Sequence, residues 1–169
     1  MIGPSLYRPL PARGIPLFPE KEKAAARPAA ASLTEQPYRS TAVKKVLLIE
    51  DDEDDQLFFR EAIEELHIQI KLSTAANGME AISNLTRSAQ LPDLIIMDIN
   101  MPCMNGMDCL KTLKANARFQ SVPVVIFTTS QNPADKQKAL AFGAAHFCIK
   151  PPGFALLKKH IAGILDLFT

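Results

Sequence analysis

The stretch from Leu94 to Gly106 constrains the fold more than any other part of the chain. Its first four residues, Leu-Ile-Ile-Met, are apolar, which is typical of a strand buried on both faces of a parallel sheet. The run stops at Asp98, and Pro102 and Gly106 come after it as loop residues. Asp98 therefore lies at the carboxyl end of a predicted strand, the edge at which parallel sheets bind ligands. Because an acid there often only caps the next helix, the residues at the ends of the other strands decide its role.

Five short apolar runs along the chain have the character of strands. They cover residues 46–49, about 70–75, 94–97, 123–127 and 147–149, and a segment with helical spacing comes after each of them. Strands that alternate with helices predict an α/β fold, and right-handed crossovers leave few topologies open. We therefore expect a doubly wound five-stranded parallel sheet with five helices. Of the two common strand orders of such sheets, we adopt the flavodoxin-like order 2-1-3-4-5. The polar character of the second run places it at a sheet edge.

The ends of the helices carry local signals of their own. Asn132 is a candidate N-cap, Pro133 suits the first helical position, and Gly143 predicts the end of that helix. The acids at 52–55 open the first helix, where the positive end of the helix dipole favours negative charge. We interpret these four acids as solvated capping residues. Glu50 and Asp51 come earlier, at the strand end, where capping does not explain them.

The residues directly after the strands share one chemistry. They are Glu50 and Asp51 after the first strand, Asp98 after the third, Thr128 after the fourth and Lys150 after the fifth. In the predicted order Lys150 lies two strand spacings, about 10 Å, from Asp98, a gap that a lysine stem mostly spans. Three crowded carboxylates repel one another unless a cation neutralises them, and a set of oxygen ligands favours Mg²⁺.

A carboxylate beside Mg²⁺, a hydroxyl and an ammonium can attack phosphorus. The product is an acyl phosphate, whose additional charge Mg²⁺, Thr128 and Lys150 would stabilise. This reaction needs no general base, because an ionised carboxylate is already a nucleophile. The pattern therefore indicates phosphoryl chemistry at this edge of the sheet.

With these residues in place, the chain resembles the receiver domain of two-component response regulators over about 44–169. Four motifs occur in order: the acid pair Glu50-Asp51, a D-x-N-M-P-x-x-N-G loop from Asp98, a T-T-S strand end from Thr128, and a G-A-x-x-F-x-x-K-P segment from Gly143. The resemblance is to single-domain, chemotaxis-regulator-like members. It implies a signalling switch that is not an enzyme and catalyses only its own aspartyl phosphorylation and dephosphorylation.

The family's metal and phosphoacceptor positions carry over residue by residue. The resemblance implies that Asp98 is the phosphoacceptor, that Asp51 binds Mg²⁺ directly and that Glu50 acts largely through water. The backbone carbonyl of Asn100 would be a further Mg²⁺ ligand. Asn100 and Ser130 also occupy the two positions that set the phosphate lifetime in the family.

The remaining positions concern how the signal leaves the site. Thr128 and Lys150 match the hydroxyl and the amine that contact the phosphoryl group, and Phe147 matches the aromatic switch. The resemblance thus implies that Thr128 moves toward the phosphate and that Phe147 turns inward, changing the surface formed by the fourth helix, the fifth strand and the last helix. It also implies a cis peptide bond between Lys150 and Pro151.

The resemblance also implies two kinds of partner. One is a sensor histidine kinase or phosphotransfer protein that donates the phosphoryl group, and the other is an unknown downstream protein. The family also dimerises through its output surface, so a phosphorylation-linked homodimer stays open. We expect a stand-alone receiver with no output domain after Phe168, no direct DNA binding and no membrane contact.

The first 43 residues differ from the rest of the chain. They contain seven of the 13 prolines and an alanine-rich patch without helix or strand periodicity, which predicts a disordered tail before a receiver domain at 44–169. We interpret this tail as a dispensable leader, with a docking motif around residues 15–19 as the alternative. The three cysteines lack metal or disulfide spacing, and no apolar run approaches the ~20 residues of a membrane helix, which favours a cytoplasmic protein.

Two other classes of function stay open. A phosphatase of the haloacid dehalogenase type also uses an aspartate and Mg²⁺ on a doubly wound sheet. That class has a second aspartate two residues after the nucleophile, where this chain has Asn100. A protein-binding module that never accepts phosphate is the third class, and the crowded carboxylates disfavour it.

Overall fold

The computed structural model describes residues 43–168, in which strands and helices alternate along the chain. The strands are β1 (Lys45–Ile49), β2 (Lys71–Ala75), β3 (Leu94–Met97), β4 (Val124–Thr128) and β5 (His146–Ile149). The helices are α1 (Glu53–Glu65), α2 (Gly78–Arg87), α3 (Gly106–Ala115), α4 (Pro133–Ala141) and α5 (Phe154–Leu167). Except for Val43, the predicted tail at 1–43 lies outside the described residues.

All strand pairs are parallel, and the sheet order is β2-β1-β3-β4-β5. The predicted doubly wound topology is therefore confirmed. The register aligns the strand ends, because Ile49 of β1 is opposite Met97 of β3, and Met97 is opposite Ile126 of β4. The residues just beyond these strands consequently emerge at nearly the same level along one edge of the sheet.

Burial along the strands explains why continuous apolar runs predict them. Every residue of β3 and β4 is buried, since helices cover both faces of the sheet. By contrast, only one residue of β2, Ala75, is buried, and β2 forms an edge of the sheet, as predicted. The core divides into two clusters on opposite faces, one beneath α2, α3 and α4 and the other beneath α1 and α5. Val43 is 2% exposed and belongs to the second cluster, so the chain is already packed two residues before β1.

Gly106 allows the loop after β3 to fold back onto the end of that strand. Its N–H donates to the carbonyl of Ile99 at 2.8 Å, and a Cβ at this position would lie 2.1 Å from the carbonyl oxygen of Asp98. Asn105 then caps α3, because its side chain accepts a hydrogen bond from the N–H of Asp108 at 3.0 Å. The close approach at Gly106 thus helps to hold Asp98 in place.

Most of the predicted helix ends agree with the structure. Asn132 caps α4, Pro133 begins it, and Gly143 comes after it with φ at +94°. The third helix ends at Ala115, where Asn116 adopts extended backbone angles.

The implied cis peptide bond before Pro151 is wrong, because none of the described peptide bonds is cis. The trans form is the one that an X–Pro bond favours by about 0.5–1 kcal/mol. None of the helices between residues 43 and 168 combines the length and apolar character that crossing a bilayer requires.

Candidate functional site

Three carboxylates meet at the carboxyl edge of the sheet. Glu50 and Asp98 are 3% and 6% exposed, whereas Asp51 is exposed to solvent. Each of the three offers one oxygen, and these oxygens lie within 4.8 Å of one another. Backbone hydrogen bonds position the two buried acids, from the N–H of Asp98 to Ile49 and from the N–H of Glu50 to Ala75. The sheet itself therefore builds the predicted acid cluster.

Lys150, the residue directly after β5, reaches this cluster with its side chain. Its Nζ lies 2.7 Å from Glu50 Oε2, 2.7 Å from Asp55 Oδ2 and 3.1 Å from Asp98 Oδ2. The other oxygen of Asp98 accepts hydrogen bonds from the backbone N–H groups of Ile99, at 2.5 Å, and Asn100, at 3.4 Å. Asp98 is thus held on both oxygens, one by main-chain donors and one by the ammonium.

Burial and charge act against each other at this site. Burial raises the pKa of Glu50 from 4.5 to about 7, because the hydrogen bond and charge of Lys150 only partly offset the loss of hydration. Burial disfavours the charged form of Lys150, yet its hydrogen bonds to Asp55 and Glu50 outweigh that cost and raise its pKa. Lys150 therefore stays protonated at neutral pH, whereas Glu50 gains or loses its proton near pH 7.

Asp55 corrects the interpretation of residues 52–55 as solvated caps. Asp52 does cap α1, accepting from the N–H groups of Asp54 and Asp55. The Asp55 carboxylate instead turns inward and binds Lys150. The sequence pattern could have predicted this inward orientation of Asp55. Asp55 precedes the buried Phe59 by four residues and therefore lies on the same, inward face of α1.

Thr128 is fully buried at the end of β4. Its hydroxyl oxygen accepts a hydrogen bond from the N–H of Ser130 at 3.3 Å, and the Ser130 hydroxyl donates to Asp135 Oδ2 at 2.6 Å. Asp135 belongs to the first turn of α4. A short hydrogen-bonded path therefore leads from the predicted phosphoryl-contacting hydroxyl to this helix.

Two further predicted residues contribute no side chain to the acid cluster. Phe147 is only 8% exposed and packs in the core cluster beneath α4. The implied inward turn of this ring requires an outward starting position, whereas the ring is already inside, in the same core cluster as Ile126 and Ala139. Asn100 is exposed and lines the same surface groove as Asp51, beside the acid cluster.

The donor set of the acid cluster fits a hard divalent cation. All its side-chain ligands are carboxylate oxygens, and one of them, Asp51, faces solvent, so a cation there could keep part of its water shell. The described residues offer no histidine or cysteine at this cluster, which disfavours zinc. Mg²⁺ or a similar ion matches these ligands best.

A scan of family models identifies residues 46–162 as a response regulator receiver domain. The chain is 29% identical over 121 residues to the chemotaxis protein CheY1 of Helicobacter pylori, a match that covers 72% of this chain and 96% of CheY1. It is also 30% identical over 117 residues to a probable cyclic di-GMP phosphodiesterase of Vibrio cholerae, covering 69% of this chain but only 25% of that protein. The phosphodiesterase is thus much longer than the shared segment.

Solved structures show the same relationship. The phosphorylated cyanobacterial phytochrome response regulator RcpA has a TM-score of 0.70 at 28% identity, covering 75% of this chain and 94% of RcpA. The Mn²⁺-bound response regulator Rcp1 has a TM-score of 0.66 at 28% identity, covering 72% and 91%. The family match spans more than two thirds of the chain and includes the acid cluster and every strand residue except Lys45, so this chain belongs to the response regulator receiver domain family.

Proposed function

We propose that this receiver is switched by transfer of a phosphoryl group to Asp98. The observation that carries this proposal is the position of Asp98, whose Oδ2 lies 3.1 Å from Lys150 Nζ within a cluster of three carboxylates. Buried carboxylates cluster in this way at a cost, which a bound cation and a phosphoryl group on Asp98 would offset. The haloacid dehalogenase alternative loses its support, because the family match is to receivers and Asn100 stands where that class has its second aspartate.

In the proposed step, a carboxylate oxygen of Asp98 attacks phosphorus. The new O–P bond forms as the bond between phosphorus and the donor breaks, and the electron pair of that bond leaves with the donor, an imidazole nitrogen in a phosphohistidine. Lys150 balances the negative charge that arrives on the phosphoryl oxygens, and the Thr128 hydroxyl can donate to one of them. Residues of this chain thus orient the group and stabilise it without acting as a base.

A divalent cation on the acid cluster would supply further charge stabilisation. Glu50, Asp51 and Asp98 are the side chains that would hold it, with the backbone carbonyl of Asn100 as the further ligand that the family pattern suggests. The Mn²⁺-bound form of Rcp1 supports a divalent ion in a protein of similar fold. We propose Mg²⁺ as the resident ion of this chain.

The proposed partners come from membership of the family, since histidine kinases or phosphotransfer proteins phosphorylate receivers. The output surface that we propose comprises α4, β5 and α5. Each element carries at least one exposed large apolar residue: Leu140 on α4, Ile149 on β5, and Leu156 and Leu167 on α5. Such a surface can take a downstream protein or a second copy of this chain.

Labelling with a small-molecule donor tests the proposal. Incubation with acetyl phosphate and Mg²⁺ should add one phosphoryl group, measured by intact mass, and EDTA should abolish the addition. Asp98→Asn should not be labelled, whereas Asp108→Asn, which neutralises an exposed acid in the first turn of α3, should label like the wild type. Labelling of Asp98→Asn would contradict the assignment, and failure of the wild type to label would favour a module that acts without phosphate.

A further inference from the structure

Lys150 has one more carboxylate partner than phosphoryl transfer to Asp98 requires. Besides Glu50 and Asp98, its Nζ binds Asp55 at 2.7 Å. Asp55 is not among the three acids whose oxygens cluster as cation ligands, and it comes from the first turn of α1 rather than from a strand end. The predicted chemistry therefore leaves this contact without a role.

The position of Asp55 is fixed by α1 and not by Lys150 alone. Its backbone N–H donates to Asp52 Oδ1 at 3.1 Å, and Phe59, one turn further along, is buried with its ring edge-on to Phe127. The Asp55 side chain is 41% exposed, whereas that of Lys150 is 12% exposed. The helix thus presents a carboxylate to the ammonium from the solvent side.

The distances show how the ammonium is shared. Nζ lies 2.7 Å from Asp55 Oδ2 and 3.1 Å from Asp98 Oδ2, so it is 0.4 Å closer to Asp55. A cavity of about 300 Å³ between α1 and α5, lined by Asp55, Lys150 and Phe154 among others, adjoins these ion pairs and leaves space for the lysine head to move. More negative charge at Asp98 can therefore draw the Lys150 ammonium away from Asp55 and toward Asp98.

We propose that Asp55 is a positioning residue that competes with Asp98 for Lys150. While Asp98 is unmodified, Asp55 draws the ammonium toward α1, so that Asp98 keeps more of its negative charge for a cation and for attack on phosphorus. A phosphoryl group replaces the single negative charge of the Asp98 carboxylate with up to two on the phosphoryl oxygens, and Lys150 then leaves Asp55 for these oxygens. The first turn of α1 then loses its ion pair with Lys150, the residue after β5, and becomes a second place, apart from α4, at which phosphorylation alters the surface. This inference rests on the proposed function.

Calorimetric titration with Mg²⁺ alone tests the competition before any phosphoryl group is present. In Asp55→Asn the ammonium moves toward Asp98 and opposes the cation, so the dissociation constant should rise about threefold to tenfold. Asp54→Asn is the matched control, because it removes the same charge from the same helical turn and its exposed carboxylate is not a partner of Lys150. Its constant should change less than twofold, and Asp55→Glu should restore the wild-type value to within about twofold.

Amide shifts with a phosphoryl mimic test the release of α1. Adding beryllofluoride to the Mg²⁺-loaded wild type should shift residues 53–56, and Asp55→Asn should lose at least half of that shift while keeping the response of residues 128–150. If Asp55 had only a structural role, Asp55→Asn would lower the melting temperature, and the amide shifts of residues 53–56 and 128–150 would weaken together. If Asp55→Asn does not fold, the test uses the Mg²⁺ dissociation constant of Asp55→Glu and the beryllofluoride-induced shifts of residues 53–56 in the wild type. Unshifted residues 53–56 would then overturn the release of α1.

The outcomes separate this inference from the function on which it rests. Matching behaviour of Asp55→Asn and Asp54→Asn in both experiments, with a normal wild-type response around Asp98, would overturn the role of Asp55 alone. An absent wild-type response around Asp98 would instead overturn the proposed function. Unshifted residues 53–56 in a wild type that otherwise responds would also overturn the release of α1.

Discussion

Replacing Lys150 with methionine should destabilise the protein in a way that depends on pH. Methionine keeps most of the apolar stem but removes the ammonium that lies between Glu50 and Asp98, whose side chains are only 4% and 8% exposed. Removing one partner of a buried ion pair typically costs about 3–5 kcal/mol. The cost here is smaller, because the third partner, Asp55, is 41% exposed and gains hydration when it is released.

Glu50 sets the pH dependence of this loss. Burial raises its pKa from 4.5 to about 7, and the hydrogen bond and charge of Lys150, which lower that pKa, are absent from the variant. Glu50 of the variant is therefore protonated at pH 6 and relieves part of the repulsion, whereas at pH 8 its ionisation costs free energy. We expect the free energy of unfolding to fall by about 2–3 kcal/mol at pH 8 and by about 1 kcal/mol at pH 6.

Urea unfolding followed by far-UV circular dichroism measures both values, since the chain has no tryptophan to report by fluorescence. The samples should contain EDTA, so that no cation substitutes for the ammonium. Lys158→Met is the control, because Lys158 pairs with Glu65 at the surface, where the side chains are 30% and 55% exposed. It should cost less than about 1 kcal/mol at either pH. Equal losses at the two pH values, or a loss no greater than that of the control, would refute the reasoning.

The same structure supports three further predictions. Gly106→Ala should lower the free energy of unfolding by about 2 kcal/mol or more and slow phosphorylation, because its Cβ would lie 2.1 Å from the Asp98 carbonyl oxygen; unchanged stability in urea would contradict this. Deleting residues 1–42 should leave the melting temperature and the phosphorylation rate nearly unchanged, whereas a drop of several degrees would show that this segment packs on the receiver. Thr128→Ala should keep Mg²⁺ binding but weaken the beryllofluoride-induced amide shifts across 128–150, since it removes a charge-assisted hydrogen bond with a net contribution of about 1–3 kcal/mol; a wild-type response would argue against this route.

Sequence alone was sufficient for the strands and the position of Asp98, whereas the strand order was one of two common orders until the structure decided it. Buried parallel strands are continuous apolar runs, and each run ends where the chain leaves the core, so the polar residues at that edge can be read from local sequence. The caps at Asn132 and Gly143 are local in the same sense, because one side chain or one backbone angle determines them. The family resemblance added roles for these positions that spacing could not supply.

Tertiary structure decided which of the predicted residues touch. Asp55 and Lys150 are 95 positions apart, and only the packing of α1 against the sheet brings the carboxylate of one to the ammonium of the other. The burial of Phe147 likewise depends on α4, which covers the face of β5 from which the ring projects. Local sequence determines where a strand ends and a helix begins, since backbone propensity and hydrophobic periodicity act over a few residues. Contacts between distant elements depend on how whole helices pack, which no short pattern encodes.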